Sequence, residues 1–166
     1  MRLPVLGYTL IELLVVIAIV TLLATLGFVN FKDFAAQQVT IKAAGQIQTL
    51  LRLAQSNATS STLCNGQGAT SWFLSFTSSS IDLRCNPGNF LKNTYTLENA
   101  SLQLQCSGAS NLSFPATFTY VTGVGTLTTA CPQTSTSIIF TISNTLNPSA
   151  SPKTFSISKG GAINVQ

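Results

Sequence analysis

One stretch near the N-terminus, Gly7-Tyr8-Thr9-Leu10-Ile11-Glu12-Leu13-Leu14-Val15-Val16-Ile17-Ala18-Ile19, is the strongest indication of the fold. It leads into a run of nineteen uncharged residues, 13–31, between Glu12 and Lys32. As a helix this run is about 28 Å long, close to the bilayer hydrocarbon thickness of about 30 Å. The run therefore predicts a single membrane-spanning helix.

Charge on either side of this run predicts its orientation. Arg2 precedes it, so the positive-inside tendency places the N-terminus in the cytoplasm and residues 33–166 outside the inner membrane. A cleaved secretory signal peptide is the alternative, with small residues near 25–27 as its cleavage site. Glu12 argues against a signal peptide, because an acid at the start of the apolar run opposes membrane insertion and a signal peptide gains nothing from it.

A second helical pattern follows directly after the apolar run. Small and apolar residues recur at helical spacing, with polar residues between them, at Ala43, Ala44, Ile47, Leu50, Leu51, Ala54 and Ala58. We therefore predict one helix from about Thr9 to Ala58, whose second half packs its apolar stripe on a folded domain. Gly27 and Gly45 are its weak points, because glycine disfavours a helix interior.

From residue 60 onward the sequence is typical of strands and turns. Alternating or β-branched segments predict strands at Thr62–Cys64, Ser71–Phe76, Ser101–Gln105, Ala116–Val121, Ser137–Ser143, Thr154–Ser158 and Ala162–Val165. Glycine, proline and asparagine clusters predict turns at residues 66–68, 86–88, 123–125, 147–148 and 159–161. The expected fold class is α+β, with the long helix packed on an antiparallel sheet.

The composition argues against an enzyme. Charged residues make up 7% of the chain, compared with about 25% in an average domain, and histidine is absent. General-base chemistry would fall to Asp82 or Glu98, neither of which lies in a catalytic motif. No cofactor or metal site is predicted. The weak net charge of +4 also lacks the clustered bases of a nucleic-acid surface.

Four cysteines, Cys64, Cys85, Cys106 and Cys131, lie in the polar part of the chain. An even number without a CxxC pair predicts two disulfides in an oxidising compartment, whereas wide spacing and absent histidine disfavour zinc. Three pairings are possible. We favour Cys64–Cys85 with Cys106–Cys131, because each pair closes a local segment of hairpin-like sequence.

The opening stretch resembles the prepilin signature of type IV pilins and type II secretion pseudopilins. The resemblance implies cleavage between Gly7 and Tyr8 by the prepilin peptidase, N-methylation of Tyr8, and an assembly role for Glu12 as the fifth mature residue. A carboxylate in apolar surroundings is tolerable only if it is paired. The nearest obligatory cation in a filament core is the terminal amine of a neighbouring subunit, so this pair would set axial register.

Two further segments are similar to the GspH/FimT group of minor pilins: residues 51–64 and the closing residues 154–163. The resemblance implies a leader over 1–7, a membrane and filament-core half-helix over 8–31, an amphipathic half-helix over 32–58 and a β-rich extracytoplasmic head over 59–166. The implied partners are other pilin subunits, the prepilin peptidase, an inner-membrane assembly platform and, before assembly, membrane lipid.

The leading functional hypothesis is a minor pilin that helps to start a type IV pilus and supports adhesion, twitching or DNA uptake. An H-type pseudopilin of a type II secretion system is the first alternative. A DNA-binding competence pilin is the second, because some FimT-like minor pilins bind DNA through basic residues in the C-terminal tail. Here that region offers only Lys159, with Lys153 nearby.

Overall fold

A computed structural model describes residues 9–108, 111–132 and 134–165, and the side chains of these residues except 25–32 and 165. The chain divides into two compact units, Met1–Ala35 and Ala36–Gln166, called here the first and second units. The helix α1, Leu10–Thr59, begins in the first unit and ends in the second. The predicted single long helix is therefore confirmed to within a residue at each end.

Nine strands follow the helix, all in the second unit. They are β1 (Ser71–Phe76), β2 (Ser80–Asn86), β3 (Phe90–Thr96), β4 (Ala100–Cys106), β5 (Ala116–Val121), β6 (Leu127–Thr128), β7 (Ser137–Asn144), β8 (Lys153–Ser158) and β9 (Ile163–Val165). They form a five-stranded sheet in the order β3-β2-β1-β5-β6 and a four-stranded sheet in the order β4-β7-β8-β9. Neighbouring strands are antiparallel throughout. The predicted α+β class is confirmed, although the strands form two sheets where one was expected.

The predicted strand at Thr62–Cys64 is wrong. Asn65 and Gly66 have positive φ angles of 52° and 82°, so the chain reverses directly after Cys64. Only an isolated bridge between Cys64 and Gln67 results. The strands β2, β3 and the two-residue β6 were not predicted, whereas the other six predicted strands agree with the structure to within a few residues.

The core of the second unit lies between the apolar stripe of α1 and the inner faces of both sheets. Of the predicted stripe all residues are buried except Ala44, which is partly buried against the same core. Phenylalanine rings join the two sheets: Phe76 of β1 lies 5.7 Å from Phe140 of β7, and Phe140 stacks on Phe155 at 4.6 Å. Aromatic pairs at such centroid distances add about 0.5–1.5 kcal/mol to the stabilisation from burial.

The last turns of α1 lie against one turn from each sheet. Gly125, between β5 and β6, has φ +67°, and a Cβ there would lie 2.5 Å from Cγ2 of Thr59. Gly161, between β8 and β9, has φ +86°, and a Cβ there would collide with the Gln55 amide. Only glycine combines these backbone angles with so close an approach. The predicted glycine turns thus seat the helix end against both sheets.

Two disulfides, Cys64–Cys85 and Cys106–Cys131, are present, which confirms the favoured pairing. The first fastens the segment after α1 to β2 of the five-stranded sheet. The second joins the end of β4 in the four-stranded sheet to the segment that follows β6 in the other sheet. One bridge therefore holds the helix exit, and the other holds the two sheets together.

Candidate assembly and membrane surface

The predicted cleavage site, Gly7 and Tyr8, lies outside the described residues. The first described residue is Thr9, whose hydroxyl Oγ1 accepts a hydrogen bond from the backbone N–H of Glu12 at 3.3 Å. The backbone carbonyl of Thr9 accepts from the N–H of Leu13 at 3.2 Å. Thr9 is therefore the N-cap of α1, and Glu12 occupies the third helical position.

This cap was not predicted, although its pattern is present in the sequence. The pattern Thr9-Leu10-Ile11-Glu12 is the S/T-x-x-E of a capping box, so a signal was present in the sequence. Glu12 lies in the first turn of α1 and its side chain is exposed. A carboxylate there also interacts favourably with the positive end of the helix dipole. Glu12 thus has a local role in its own helix beside the predicted role in assembly.

The first unit exposes a long apolar helical surface. Its large apolar side chains from Leu10 to Leu23 are each between 51% and 81% exposed. They are Leu10, Ile11, Leu13, Leu14, Val15, Val16, Ile17, Ile19, Val20, Leu22 and Leu23. Contiguous apolar surface on this scale marks a site of contact with membrane or protein.

The predicted membrane span, residues 13–31, runs into residues 25–32, whose side chains lie outside the description. Within the described part of the chain, no helix reaches the length and mean hydropathy needed to cross a membrane.

The structure does not bring the two candidate DNA-contacting lysines together. Lys153 is exposed at the first position of β8, and Lys159 follows the last position of that strand. At about 3.3 Å per strand residue the two backbone positions are roughly 20 Å apart. Lys159 is also partly buried, and its ammonium donates a hydrogen bond to the carbonyl of Pro132 at 3.3 Å.

Two charged residues of β2, Asp82 and Arg84, form a structural network with a threonine of β3. Arg84 Nη2 lies 3.0 Å from Asp82 Oδ2, and the Thr94 hydroxyl donates to Asp82 Oδ1 at 2.7 Å. The hydrogen bond from Thr94 holds the pKa of the Asp82 carboxyl below its ordinary value, with Arg84 acting in the same direction against partial burial. A carboxylate held ionised in this way is a poor general base.

Five aromatic residues of the second unit lie mostly in its core and do not form an exposed binding face. Trp72, Phe76 and Tyr120 are buried, while Phe73 and Tyr95 are partly exposed. Burial raises the pKa of the Tyr120 phenol far above its ordinary range, so its hydroxyl stays protonated.

Among the described residues there is no cluster of three or more His, Cys, Asp or Glu that could hold a metal ion. The distinctive surface of the described chain is therefore the apolar helix with its single carboxylate.

Comparisons of this chain with protein-family models, with curated proteins and with solved structures found no match.

Proposed function

We propose that this chain is a structural subunit of a type IV pilus, a minor pilin that is assembled through α1. The proposal places the chain in the inner membrane as a single-pass precursor, with residues 33–166 outside the cytoplasm. The prepilin peptidase removes residues 1–7, and an assembly platform inserts the mature chain into an extracytoplasmic filament. The observation that carries this proposal is the exposed apolar surface from Leu10 to Leu23.

Magnitudes support a role in assembly for this surface. Burying one large aliphatic side chain stabilises by about 1.5–3 kcal/mol relative to full exposure. Eleven such side chains at 51–81% exposure therefore leave on the order of 10–20 kcal/mol of burial unused in the isolated chain. Lipid provides that burial before assembly, and the helices of neighbouring subunits provide it afterwards. A helix of this kind can exchange one apolar environment for the other.

Glu12 gives this apolar surface a specific register. It is the only charged residue from position 9 to position 31. When neighbouring helices bury the surface, an unpaired carboxylate becomes strongly destabilising, so the partner must supply a cation. Cleavage before Tyr8 creates such a cation, the terminal amine, four positions before Glu12. Each neighbouring subunit carries the same amine at its own Tyr8. Subunits out of register would leave both charges unpaired.

Substitutions at Glu12 and Thr9 separate the assembly role from the capping role. Glu12→Gln and Glu12→Ala remove the carboxylate, whereas Thr9→Ala removes the side-chain cap and leaves the carboxylate in place. We expect both Glu12 variants to be cleaved and N-methylated at Tyr8 but at least tenfold depleted from sheared surface filaments. We expect Thr9→Ala to be incorporated at close to the wild-type level.

The readouts are immunoblots of the membrane and sheared-filament fractions, with mass spectrometry of the N-terminus. Normal incorporation of Glu12→Gln would refute the register role. Depletion of Thr9→Ala equal to that of Glu12→Gln would assign the effect to the helix cap instead. An N-terminus at Phe28, or an intact Met1, would refute the prepilin assignment itself.

An H-type pseudopilin of a type II secretion system is the second candidate. It is favoured by the closing β8–turn–β9 hairpin, which is one of the two segments that resemble the GspH/FimT group. Deletion of the gene discriminates between the two: loss of surface filaments supports the pilus, and periplasmic retention of secreted proteins supports the pseudopilin. DNA contact is not part of the proposal, because Lys153 and Lys159 lie at opposite ends of β8.

A further inference from the structure

A tight turn in the segment between α1 and β1 has the sequence Asn65-Gly66 at its centre. The Cys64 N–H donates a hydrogen bond to the carbonyl of Gln67 at 2.7 Å, and the Gln67 N–H donates to the carbonyl of Cys64 at 3.0 Å. The two central residues have positive φ angles of 52° and 82°. Positive φ at both central residues of a two-residue loop defines a type I′ turn, for which Asn-Gly is a preferred sequence.

Three asparagines of the described chain share an exposed position and a left-handed backbone, but only one of them precedes a glycine. Asn65, Asn89 and Asn99 have φ angles of 52°, 53° and 55°. The other two are each followed by the first residue of a strand, β3 or β4. Gly66 belongs to no strand, is exposed, and has no atom within 4 Å of the place where a Cβ would lie. The Asn65–Gly66 peptide is therefore the one of the three that has room to rotate.

Rotation of this peptide brings a nucleophile to the side chain of Asn65. In the left-handed conformation ψ is about +47°, and the Gly66 nitrogen lies on the opposite side of the Cα–C bond from the Asn65 Cβ. A type II′ turn has ψ of about −120° at its first central residue, which places that nitrogen beside Cβ and within reach of Cγ. The change from type I′ to type II′ requires a negative φ at Gly66, which glycine adopts freely. The hydrogen bonds between Cys64 and Gln67 can stay in place, since both turn types close a two-residue hairpin.

We propose that Asn65 deamidates spontaneously through the backbone nitrogen of Gly66. This nitrogen attacks Cγ of Asn65, a nitrogen–carbon bond forms, and the side-chain amide leaves as ammonia with the proton that Gly66 loses. Water then opens the resulting succinimide ring at either carbonyl. Opening at Cγ gives aspartate, and opening at the main-chain carbonyl gives isoaspartate. The net reaction replaces a side-chain amide by a carboxyl group, consumes water and releases ammonia, with no transfer of electrons.

The reaction changes the charge and the backbone of the second unit. Residues 60–166 contain two acids, Asp82 and Glu98, so one conversion adds a third. Aspartate retains the turn, because Asp-Gly also suits type I′. Isoaspartate adds one carbon to the main chain of a two-residue loop, which disrupts the pairing of Cys64 with Gln67. Older molecules therefore differ from new ones at the residue that follows the bridged Cys64.

Peptide mapping of the full chain tests the site. Protein in detergent micelles is incubated at neutral pH, digested with trypsin and analysed by tandem mass spectrometry, and a sample digested without incubation gives the background. Cleavage after lysine and arginine places Asn65, Asn89 and Asn99 in separate fragments, 53–84, 85–92 and 93–153. We expect Asn65 to convert at least tenfold faster than either of the other two, with both aspartate and isoaspartate formed.

Two glycine variants form a matched pair. Gly66→Ala places a methyl group next to the attacking nitrogen. Gly68→Ala adds a methyl group at a second exposed glycine, where a Cβ also meets nothing within 4 Å. We expect the first variant to slow the conversion of Asn65 at least fivefold and the second to leave it unchanged. Asn65→Asp provides the reference for the aspartate product.

The results that would overturn the inference are specific. Equal rates at Asn65, Asn89 and Asn99 would do so, as would an unchanged rate in Gly66→Ala. Aspartate formed without isoaspartate would show direct attack of water on the side-chain amide and would overturn the succinimide route. Conversion only in urea with the disulfides reduced would place the reaction in the unfolded chain and would overturn rotation within the folded turn. Each of these outcomes leaves the proposed role in assembly intact, because the turn takes no part in it.

Discussion

Replacing both cysteines of one disulfide at a time tests what each bridge contributes to the second unit. The pair Cys64–Cys85 closes a segment of 21 residues, and Cys106–Cys131 closes one of 25. The loop-closure relation gives a loss of about 3.3 kcal/mol for the first bridge and about 3.5 kcal/mol for the second. Chain entropy alone therefore predicts that the two bridges stabilise almost equally.

Burial separates the two bridges when serine replaces cysteine. Cys64 and Cys85 are both fully buried, whereas Cys131 is partly exposed. A buried serine hydroxyl without a partner costs about 1–3 kcal/mol, while alanine introduces no polar group. We expect the two double-alanine variants to lose about 3–4 kcal/mol each. The double-serine variant at Cys64 and Cys85 should lose a further 2 kcal/mol or more, and that at Cys106 and Cys131 distinctly less.

The assay is urea unfolding of the full chain in detergent micelles, followed by the fluorescence of Trp72. This side chain is 3% exposed and donates from Nε1 to the carbonyl of Thr62 at 3.3 Å, so it reports loss of the core near the first bridge. Intact wild-type protein under non-reducing conditions is the reference. A difference above about 1.5 kcal/mol between the two double-alanine variants would refute the entropic account. Equal losses for serine and alanine at Cys64 and Cys85 would refute the burial argument.

Two further predictions concern the turns and the sheet face. Gly125→Ala should destabilise by about 1–3 kcal/mol more than Gly66→Ala in the same urea assay, because both positions have positive φ but only the new Cβ at Gly125 meets Thr59. Equal losses would show that Thr59 moves aside at no cost. Asp82→Asn should destabilise at neutral pH, since the Thr94 hydrogen bond lowers the folded-state pKa of Asp82 below its ordinary value of 3.8. That stabilisation is present above pH 3.8 and is lost as the pH falls through the lower folded-state pKa, so melting curves of wild type and variant should converge in acid.

The helix and the inner strands could be predicted because burial imposes a period on their residues. Ala43, Ile47 and Leu51 follow the helical period, and Ile138 and Phe140 alternate along a half-buried strand. All five are buried in the structure. The pattern of each element can therefore be detected within its own sequence, since one face is apolar and the other is polar.

The missed strands lack that evidence for different reasons. In β3 no residue is buried, so Phe90–Thr96 shows no alternation and forms a strand only by pairing with β2. In β2 the inward residues do alternate, but Asp82 and Arg84 lie between them, and aspartate is uncommon in strands. Their ion pair, which joins residues two apart on one face, satisfies both charges. Division into two sheets likewise depends on pairing between distant segments, which local patterns do not encode.

The candidate site shows the same limit. The apolar run and Glu12 could be recognised from the sequence because they are adjacent along the chain. The side chain of Asn144, by contrast, joins the turn between β7 and β8 to Ala36, more than a hundred positions away. The turn at 147–148 was expected, but nothing local to it indicates which part of α1 it meets. Such a contact becomes visible only when the strands are placed in order.

The bridge from Cys64 to Cys85 has a mechanical consequence. Cys64 lies five residues after the end of α1, so a tensile load that enters through the helix passes into the sheet across a covalent bond. At up to about 3.5 Å per residue, the bridges keep roughly 70 and 90 Å of chain from being drawn out. If the chain is pulled by its helix, these two segments stay closed for as long as the sulfur–sulfur bonds hold. Resistance to stretching is thus set by where two pairs of sulfur atoms lie along the chain.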